Sequence, residues 1–383
     1  MQVKKKLFLI DAYALIFRGY YAFIKNPRIN SKGMDTSAIM GFMNSLLDLI
    51  KRESPENLAV AFDKGGSSDR LEIFEEYKAN RNETPDAIKI AVPYIQAILK
   101  AMQIPILVKS GYEADDIIGT VAKNAEQNNY EVFMVTPDKD FAQLVSENIF
   151  MYRPARMGNG IEIWGVDEVQ KKFEITDPLQ VIDFLGMMGD SVDNIPGLPG
   201  VGEKTAKKFL AEYGSMEKLL ENTDKIKGKL REKIELNKDK GLLSKKLATI
   251  MLDVPIDYNL ENFKFQDPDI NKIKEIFGEL EFKRMTENFM KIFSLKQEIK
   301  LETNTLNEVQ YDLFNSPGES NVDSKKEDLF KSKSGRFYQI INGDLGCDLL
   351  FNKILNQKFL SIALVNSDLK KNKFGISFTW DND

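Results

Sequence analysis

Three short apolar runs in this chain each lead into an aspartate: Leu7–Ile10 before Asp11, Leu58–Phe62 before Asp63, and Val132–Val135 before Thr136-Pro137-Asp138. Apolar runs of this length without alternation suit strands buried on both faces. Helical patterns lie between them, at Thr36–Lys51, Ala87–Met102 and Ala114–Gln127. The alternation predicts an α/β fold with a mostly parallel central sheet flanked by helices. Ligands of such sheets sit beyond the carboxyl ends of the strands, where Asp11, Asp63 and Asp138 would lie. Acids gathered at one sheet edge repel one another unless a cation neutralises them.

A fourth run, Ile106–Val108, leads into GYEADDIIGT, where Glu113, Asp115 and Asp116 open a helix. Acids in a first helical turn are favoured by the helix dipole alone, but beside the strand-end acids they extend a cluster. Asp140, Asp190 and Asp193 bring the set to nine carboxylates in tight ExDD, DxD and DxxD spacings. Taken singly, each is equally readable as a surface acid, since the chain has 58 Asp and Glu. The chain has no histidine and one cysteine, Cys347. Ser–His and Cys–His nucleophile pairs, intrachain disulfides and cysteine-cluster zinc sites are therefore excluded. Hard oxygen ligands select Mg²⁺ or Mn²⁺, and two such ions ~4 Å apart can drive phosphodiester displacement without histidine. The net charge of −5 speaks against a nucleic-acid partner at first sight. Setting the nine acids aside leaves 49 against 53 Lys and Arg, so local patches decide; equally, −5 is an ordinary cytoplasmic charge.

From about residue 170 the pattern turns helical, with Lys225–Leu252 a charged amphipathic stretch. At its centre is Gly197-Leu198-Pro199-Gly200-Val201-Gly202-Glu203-Lys204, directly after DSVDNIP. Gly197, Gly200 and Gly202 permit a tight helix–hairpin–helix turn with exposed N–H groups. Those groups and the next helix N-terminus would hold a phosphate, with Lys204, Lys207 and Lys208 along the same backbone. After the second strand-end acid comes EEYKANR. Spacing places Lys78 and Arg81 on one helix face, suited to gripping a scissile phosphate, and Tyr77 is suited to stacking on a terminal base. An ordinary surface helix accounts for these three equally well.

FLIDAYALIFRGYYAF, AFDKGGSSDR with EEYKANR, GYEADDIIGT, TPDKDFAQLV and GDSVDNIPGLPGVGEKTA, in this order, resemble the successive motifs of the 5′-nuclease of bacterial DNA polymerase I, within the flap-endonuclease superfamily. The resemblance runs to about residue 293. It implies a structure-specific 5′→3′ exonuclease and flap endonuclease acting on DNA flaps, nicks and RNA-primed ends. It further implies a PIN-like core over 1–170 with a helical arch over about 64–92, and a helical DNA-binding subdomain over 171–295 with a helix–three-turn–helix. Carried over, Asp11, Asp63, Glu113 and Asp115 would hold one Mg²⁺, and Asp138, Asp140, Asp190 and Asp193 would lie towards a second, with Asp116 in support. Lys78 and Arg81 match basic arch residues, Arg18 and Tyr20 match a helix beside the cleavage site, and K⁺ is implied at the hairpin carbonyls. The alternative is a non-catalytic branched-DNA binding module, which predicts missing ligands; a shorter toxin-type ribonuclease would lack GLPGVGEK.

Residues 296–334 lose periodicity and read as a linker. Within it, QYDLF resembles the peptide that bacterial replication proteins insert into the sliding clamp, with Gln310, Leu313 and Phe314 as anchors; chance produces such short motifs too. RFYQII, KFLSIALV and KFGISFTW read as strands of a partial 3′-5′ exonuclease-like segment over 335–383, and FLSIALVNSD lacks that enzyme's Asp-x-Glu pair. Neither proofreading nor polymerisation is expected. The N-terminal apolar run is too short for a signal peptide or a membrane span, so a cytoplasmic protein with no membrane partner is expected; the resemblance implies a monomer.

Overall fold

The computed structural model describes residues 4–154 and 160–293, together with the backbone of 361–368 and 373–379. The apolar runs form a six-stranded sheet: β1 (Lys5–Asp11), β2 (Asn57–Phe62), β3 (Ile106–Val108), β4 (Tyr130–Val135), β5 (Ile149–Pro154) and β6 (Ile161–Trp164). The order is β3-β2-β1-β4-β5-β6. All neighbours are parallel except the β5–β6 edge pair. The chain runs outward from β1 to β3, then returns to β4 on the other side of β1. Strand order therefore reverses at the carboxyl ends of β1 and β4, the place where doubly wound sheets open a crevice.

Side chains of β1 alternate between two cores. Leu7 and Leu9 pack with α5 (Ala114–Gln127), whereas Phe8 and Ile10 pack with α1 (Ala12–Phe23), α2 (Ser37–Glu53) and α4 (Asp86–Ala101). This two-sided burial is what continuous apolar strands require. Helices α1 and α2 meet at Gly19 and Gly41, where a Cβ on Gly19 would stand 2.9 Å from the Gly41 Cα. A short α3 (Ser68–Ile73) lies between β2 and α4, and α6 (Val166–Phe173) follows the sheet.

The helical half comprises α7 (Gln180–Met188), α8 (Glu203–Tyr213), α9 (Met216–Glu221), α10 (Lys229–Leu236) and α11 (Lys238–Ala248), whereas α12 (Ile270–Glu279) packs back on α4 in the core shared with α1 and α2. Lys225–Leu252, expected as one helical stretch, is broken. Asn237 separates α10 from α11, and α11 ends at Ala248. Residues 4–293 belong to one compact unit. In the second unit, β7 (Ser361–Asp368) pairs antiparallel with β8 (Lys373–Thr379). The expected linker, the RFYQII run, and Gln310, Leu313 and Phe314 lie outside the described residues.

Candidate active site

The acids reach the carboxyl-end edge of the sheet by five routes, and among the described residues Glu113, Asp115 and Asp116 are the three whose oxygens converge. Asp11 closes β1 and caps α1, its Oδ1 accepting the Ala14 N–H at 3.1 Å. Asp63 follows β2 and accepts the Ala114 N–H at 2.8 Å, so it sits at the positive end of α5. Glu113, Asp115 and Asp116 occupy that same end, with one oxygen of each within 4.8 Å of the others. Asp138 and Asp140 stand on the 3₁₀ turn Lys139–Leu144 after β4, where Asp138 accepts the Asp140 N–H at 3.0 Å. Asp190 and Asp193 lie beyond α7, and Asp190 accepts the amides of Val192 and Asp193.

Electrostatic coupling ties these groups together. Burial, then repulsion from Asp63 and Asp138, pushes the Asp11 carboxyl from 3.8 up to about 7. Asp140 is pushed up to about 8, by burial and by the Asp138 charge beside it, with Asp190 and Asp193 adding to it. Asp63, Asp115 and Asp138 are raised for the same leading reason, exclusion from water; Glu113 adds to it at Asp63, Asp116 at Asp115, and Asp193 at Asp138. Solvent still reaches Asp138 at the rim. Burial and mutual repulsion among these acids make the site one that a cation would stabilise.

At the arch side, by contrast, the protein supplies cations of its own. Arg70 is 4% exposed and forks onto Asp116, with both bonds 2.8 Å, while also reaching Glu113 at 3.0 Å. Burial opposes its charge, but Asp116 and the surrounding acids hold its pKa above the usual value. Lys78 bonds the other Glu113 oxygen, and Tyr77 donates its hydroxyl to Glu113 at 3.0 Å. Burial works against the Glu113 charge, but Lys78 and Arg70 outweigh it and lower the pKa. Arg81 pairs with Asp193 at 2.6 Å.

Several expectations change accordingly. Lys78 and Arg81 do not share a helix face: residues 75–80 form a turn, and Lys78 takes a left-handed conformation at φ 61°. Tyr77 is 7% exposed and packed in the core, so stacking on a base would require its ring to leave that pocket. Asp116 has spent its oxygens on Arg70 and on the amides of Glu113 and Met251, which leaves it a support rather than an open ligand. Over 64–92, α3, the turn and the first part of α4 stand where the arch was expected.

The hairpin follows α7. Gly197 has φ 66° and Gly200 φ 90°. A Cβ on Gly197 would lie 2.7 Å from the Gly189 nitrogen, so the turn needs glycine for space as well as angle. The Gly197 N–H is not exposed for a ligand; it donates to Ser244 Oγ at 2.8 Å. Gly202 caps α8. Lys204 and Lys208 are exposed one turn apart, whereas Lys207 is tied to Glu174 and Glu203 at 3.1 and 3.2 Å. On α1, Arg18 donates to the Pro154 carbonyl at 2.9 Å, and Tyr20 is half-buried against Tyr21.

Arg70, Thr136 and Gln143 were not singled out from sequence. Thr136 donates to Asp11 at 3.1 Å and accepts from the Asp138 N–H at 3.2 Å, joining two of the acid-bearing elements. A pointer was available for Arg70 alone: a paired Glu113 and Asp116 at a buried helix start demand a buried cation.

The residues present fit divalent cations. Every candidate donor is a carboxylate oxygen, and Asp140 Oδ1 is buried with no hydrogen-bond partner among the described residues. Such an atom is costly unless something positive meets it.

Comparison with known proteins settles the family. Residues 6–174 match the 5′-3′ exonuclease N-terminal resolvase-like domain, and residues 176–271 match the 5′-3′ exonuclease C-terminal SAM fold. The 5′-3′ exonuclease of Aquifex aeolicus is 39% identical over 289 residues, covering 76% of this chain and 96% of that protein. The chain belongs to the 5′-3′ exonuclease family. It is a nuclease by that membership. DNA polymerase I of Bacillus subtilis is 39% identical over 323 residues, 83% of this chain but 36% of that protein. The chain thus spans about a third of the length of the DNA polymerase I relatives it matches. Among solved structures, the T5 5′-exonuclease with bound zinc ions shares the fold at TM-score 0.54 and 20% identity, covering 75% of this chain and 99% of that one. The catalytic core of Rad2 in complex with DNA gives 0.52 at 18% identity, with coverage of 76% and 92%. No helix among the described residues is long and apolar enough to cross a membrane.

Proposed function

We propose that this 5′-3′ exonuclease is a structure-specific, divalent-metal-dependent 5′-nuclease that hydrolyses DNA phosphodiesters at flaps, nicks and RNA-primed ends. The observation that carries this reading is geometric: acids from the ends of β1, β2 and β4 and from the start of α5 gather at the sheet switch point, with oxygens of Glu113, Asp115 and Asp116 within 4.8 Å of one another. Asp11, Asp63 and Asp115 would hold one Mg²⁺, joined by Glu113 once Lys78 releases its second oxygen, and Asp138, Asp140, Asp190 and Asp193 a second, with Mn²⁺ an acceptable substitute. Bound there, the cations supply Lewis acidity and charge neutralisation for attack on phosphorus.

The chain's own residues do the rest. Lys78 lowers the pKa of Glu113, Arg81 pairs with Asp193, and both carry the positive charge that a scissile phosphate would meet. Arg70 and Asp116 orient Glu113 without leaving the protein. Arg18 and Tyr20 line the approach along α1, and Gly200, Gly202, Lys204 and Lys208 hold the duplex backbone at the hairpin, where K⁺ would sit on carbonyls; Gly197 shapes the turn, its own N–H being spent on Ser244. Lys207 contributes only if DNA displaces Glu174 and Glu203. The protein would act as a monomer in the cytoplasm, and QYDLF would dock it to the sliding clamp; Leu313→Ala with Phe314→Ala should then abolish clamp capture.

The decisive test is a 5′-flap substrate with and without Mg²⁺, with product ends mapped. Wild type should release the flap as a unit only with the metal. Asp63→Asn and Asp138→Asn should lose cleavage and keep DNA binding. Wild-type-like cutting by either variant refutes the metal assignment.

A further inference from the structure

After α11 the chain leaves the helix, and side chains from α3, α5 and the 3₁₀ turn hold it almost residue by residue. Arg70 Nε donates to the Leu247 carbonyl at 3.1 Å and Arg70 NH2 to that of Thr249 at 2.9 Å. Gln143 donates to the Ala248 carbonyl at 3.0 Å and accepts the Ile250 N–H at 2.9 Å. Asp116 accepts the Met251 N–H at 2.9 Å, and Thr120 accepts that of Val254 at 3.2 Å. Gly119 leaves room for this strap: a Cβ there would lie 2.9 Å from Ile250 Cγ2.

Gln143 is the member that reaches Asp140, through that residue's main chain, as Arg70 reaches Glu113 through its carboxylate. It is 2% exposed, and its second N–H donates to the Asp140 main-chain carbonyl at 3.0 Å. Its amide is thereby fully used, with two donors on two carbonyls and its oxygen on an N–H. The 3₁₀ turn that carries Asp140 is six residues long. Such turns hold poorly by their own hydrogen bonds, so the direction of the unpartnered Asp140 Oδ1 depends on an outside anchor.

We propose that Gln143 is a positioning residue that registers Asp140 against the helical half of the molecule, so that the acid cluster and the DNA-binding helices are set by one strap. This rests on the metal-dependent nuclease reading. Outer partners of this kind change metal affinity or activity by about tenfold to a hundredfold when removed.

The test uses the full chain with Gln143→Met, and with Thr120→Val as a control that loosens the strap away from Asp140. Mn²⁺ affinity is measured by calorimetry, and duplex affinity is measured in Ca²⁺. Gln143→Met should weaken Mn²⁺ binding about tenfold or more and lower the single-turnover cleavage rate by a similar factor, while duplex affinity and Thr120→Val stay within about twofold of wild type. Unchanged Mn²⁺ affinity in Gln143→Met, or an equal loss in Thr120→Val, overturns the proposal. If Gln143→Met does not fold, amide exchange on wild type decides: Mn²⁺ should slow exchange at Asp140 and Ile250 together, and slowing at Asp140 alone overturns it. A wild-type chain that takes up no Mn²⁺ sinks the nuclease reading itself, which separates the two failures.

Discussion

Stripped of divalent cations, this protein should lose stability as pH rises through neutrality. Asp11 has an ordinary pKa of 3.8 unfolded and about 7 folded. Above pH 3.8 the unfolded chain has released that proton and the folded one still binds it, so stability falls from there up to about pH 7. At 1.36 kcal/mol per unit, the full loss from Asp11 is about 4 kcal/mol. Asp140 follows the same sign up to about 8; because Asp138 and Asp140 raise each other, their shares overlap and are not added. The window is unusually clean, because the chain has no histidine. Apart from the α-amino group, no ordinary side chain titrates between about pH 5 and 8. Carboxyls held low by a partner, such as Glu113, have finished ionising below it. About 3 kcal/mol of that loss falls between pH 5 and 8, which corresponds to a fall in Tm on the order of 5–10 °C for a domain of this size. Thermal unfolding in EDTA between about pH 5 and 8 at constant ionic strength should show that fall, and saturating Mg²⁺ should reverse it at the alkaline end by mass action. Asp140→Asn should flatten the slope and weaken the Mg²⁺ response together. An EDTA-treated protein whose Tm holds level or rises across that range would refute the reasoning, because it would mean the acids are already neutralised by the fold.

Other outcomes can be checked separately. Lys204→Ala should weaken duplex binding and reduce the slope of log K against log salt by about 1, whereas an unchanged slope removes the hairpin contact. Arg70→Ala leaves buried Asp116 without its cation and Glu113 with Lys78 alone, and should cost about 3–5 kcal/mol by denaturant titration; a cost under about 1 kcal/mol would mean the Arg70–Asp116 pair is not truly buried. Gly19→Ala should cost about 1–3 kcal/mol by overpacking α1 on α2, with a normal stability showing that the two backbones are not in contact.

The acids were legible because each depends on a local rule. A two-sided apolar strand ends where the chain leaves the sheet, so Asp11, Asp63 and Asp138 were placed by their own neighbours in sequence. The start of α5 was legible for the same reason, and its bounds are those expected. Tyr77 and Lys78 were misjudged because their spacing fits a helix, while the structure turns there with Lys78 left-handed and the Tyr77 ring inward. Nothing in a periodicity distinguishes a ring that faces solvent from one held by a hydroxyl bond to Glu113.

The strap shows the deeper limit. Lys225–Leu252 has helical composition throughout, yet residues 249–254 are not helical. Their backbone groups find partners in Arg70, Asp116, Thr120 and Gln143, which lie more than a hundred residues earlier. Backbone N–H and C=O groups must be paired when buried, and a helix is only one way to pair them; here distant polar side chains supply another. Those same side chains orient Glu113 and Asp140. A residue such as Gln143, with no charge and no motif signature of its own, becomes visible only once the strap is seen lying across the acids, because its role is to join two segments that are each legible alone.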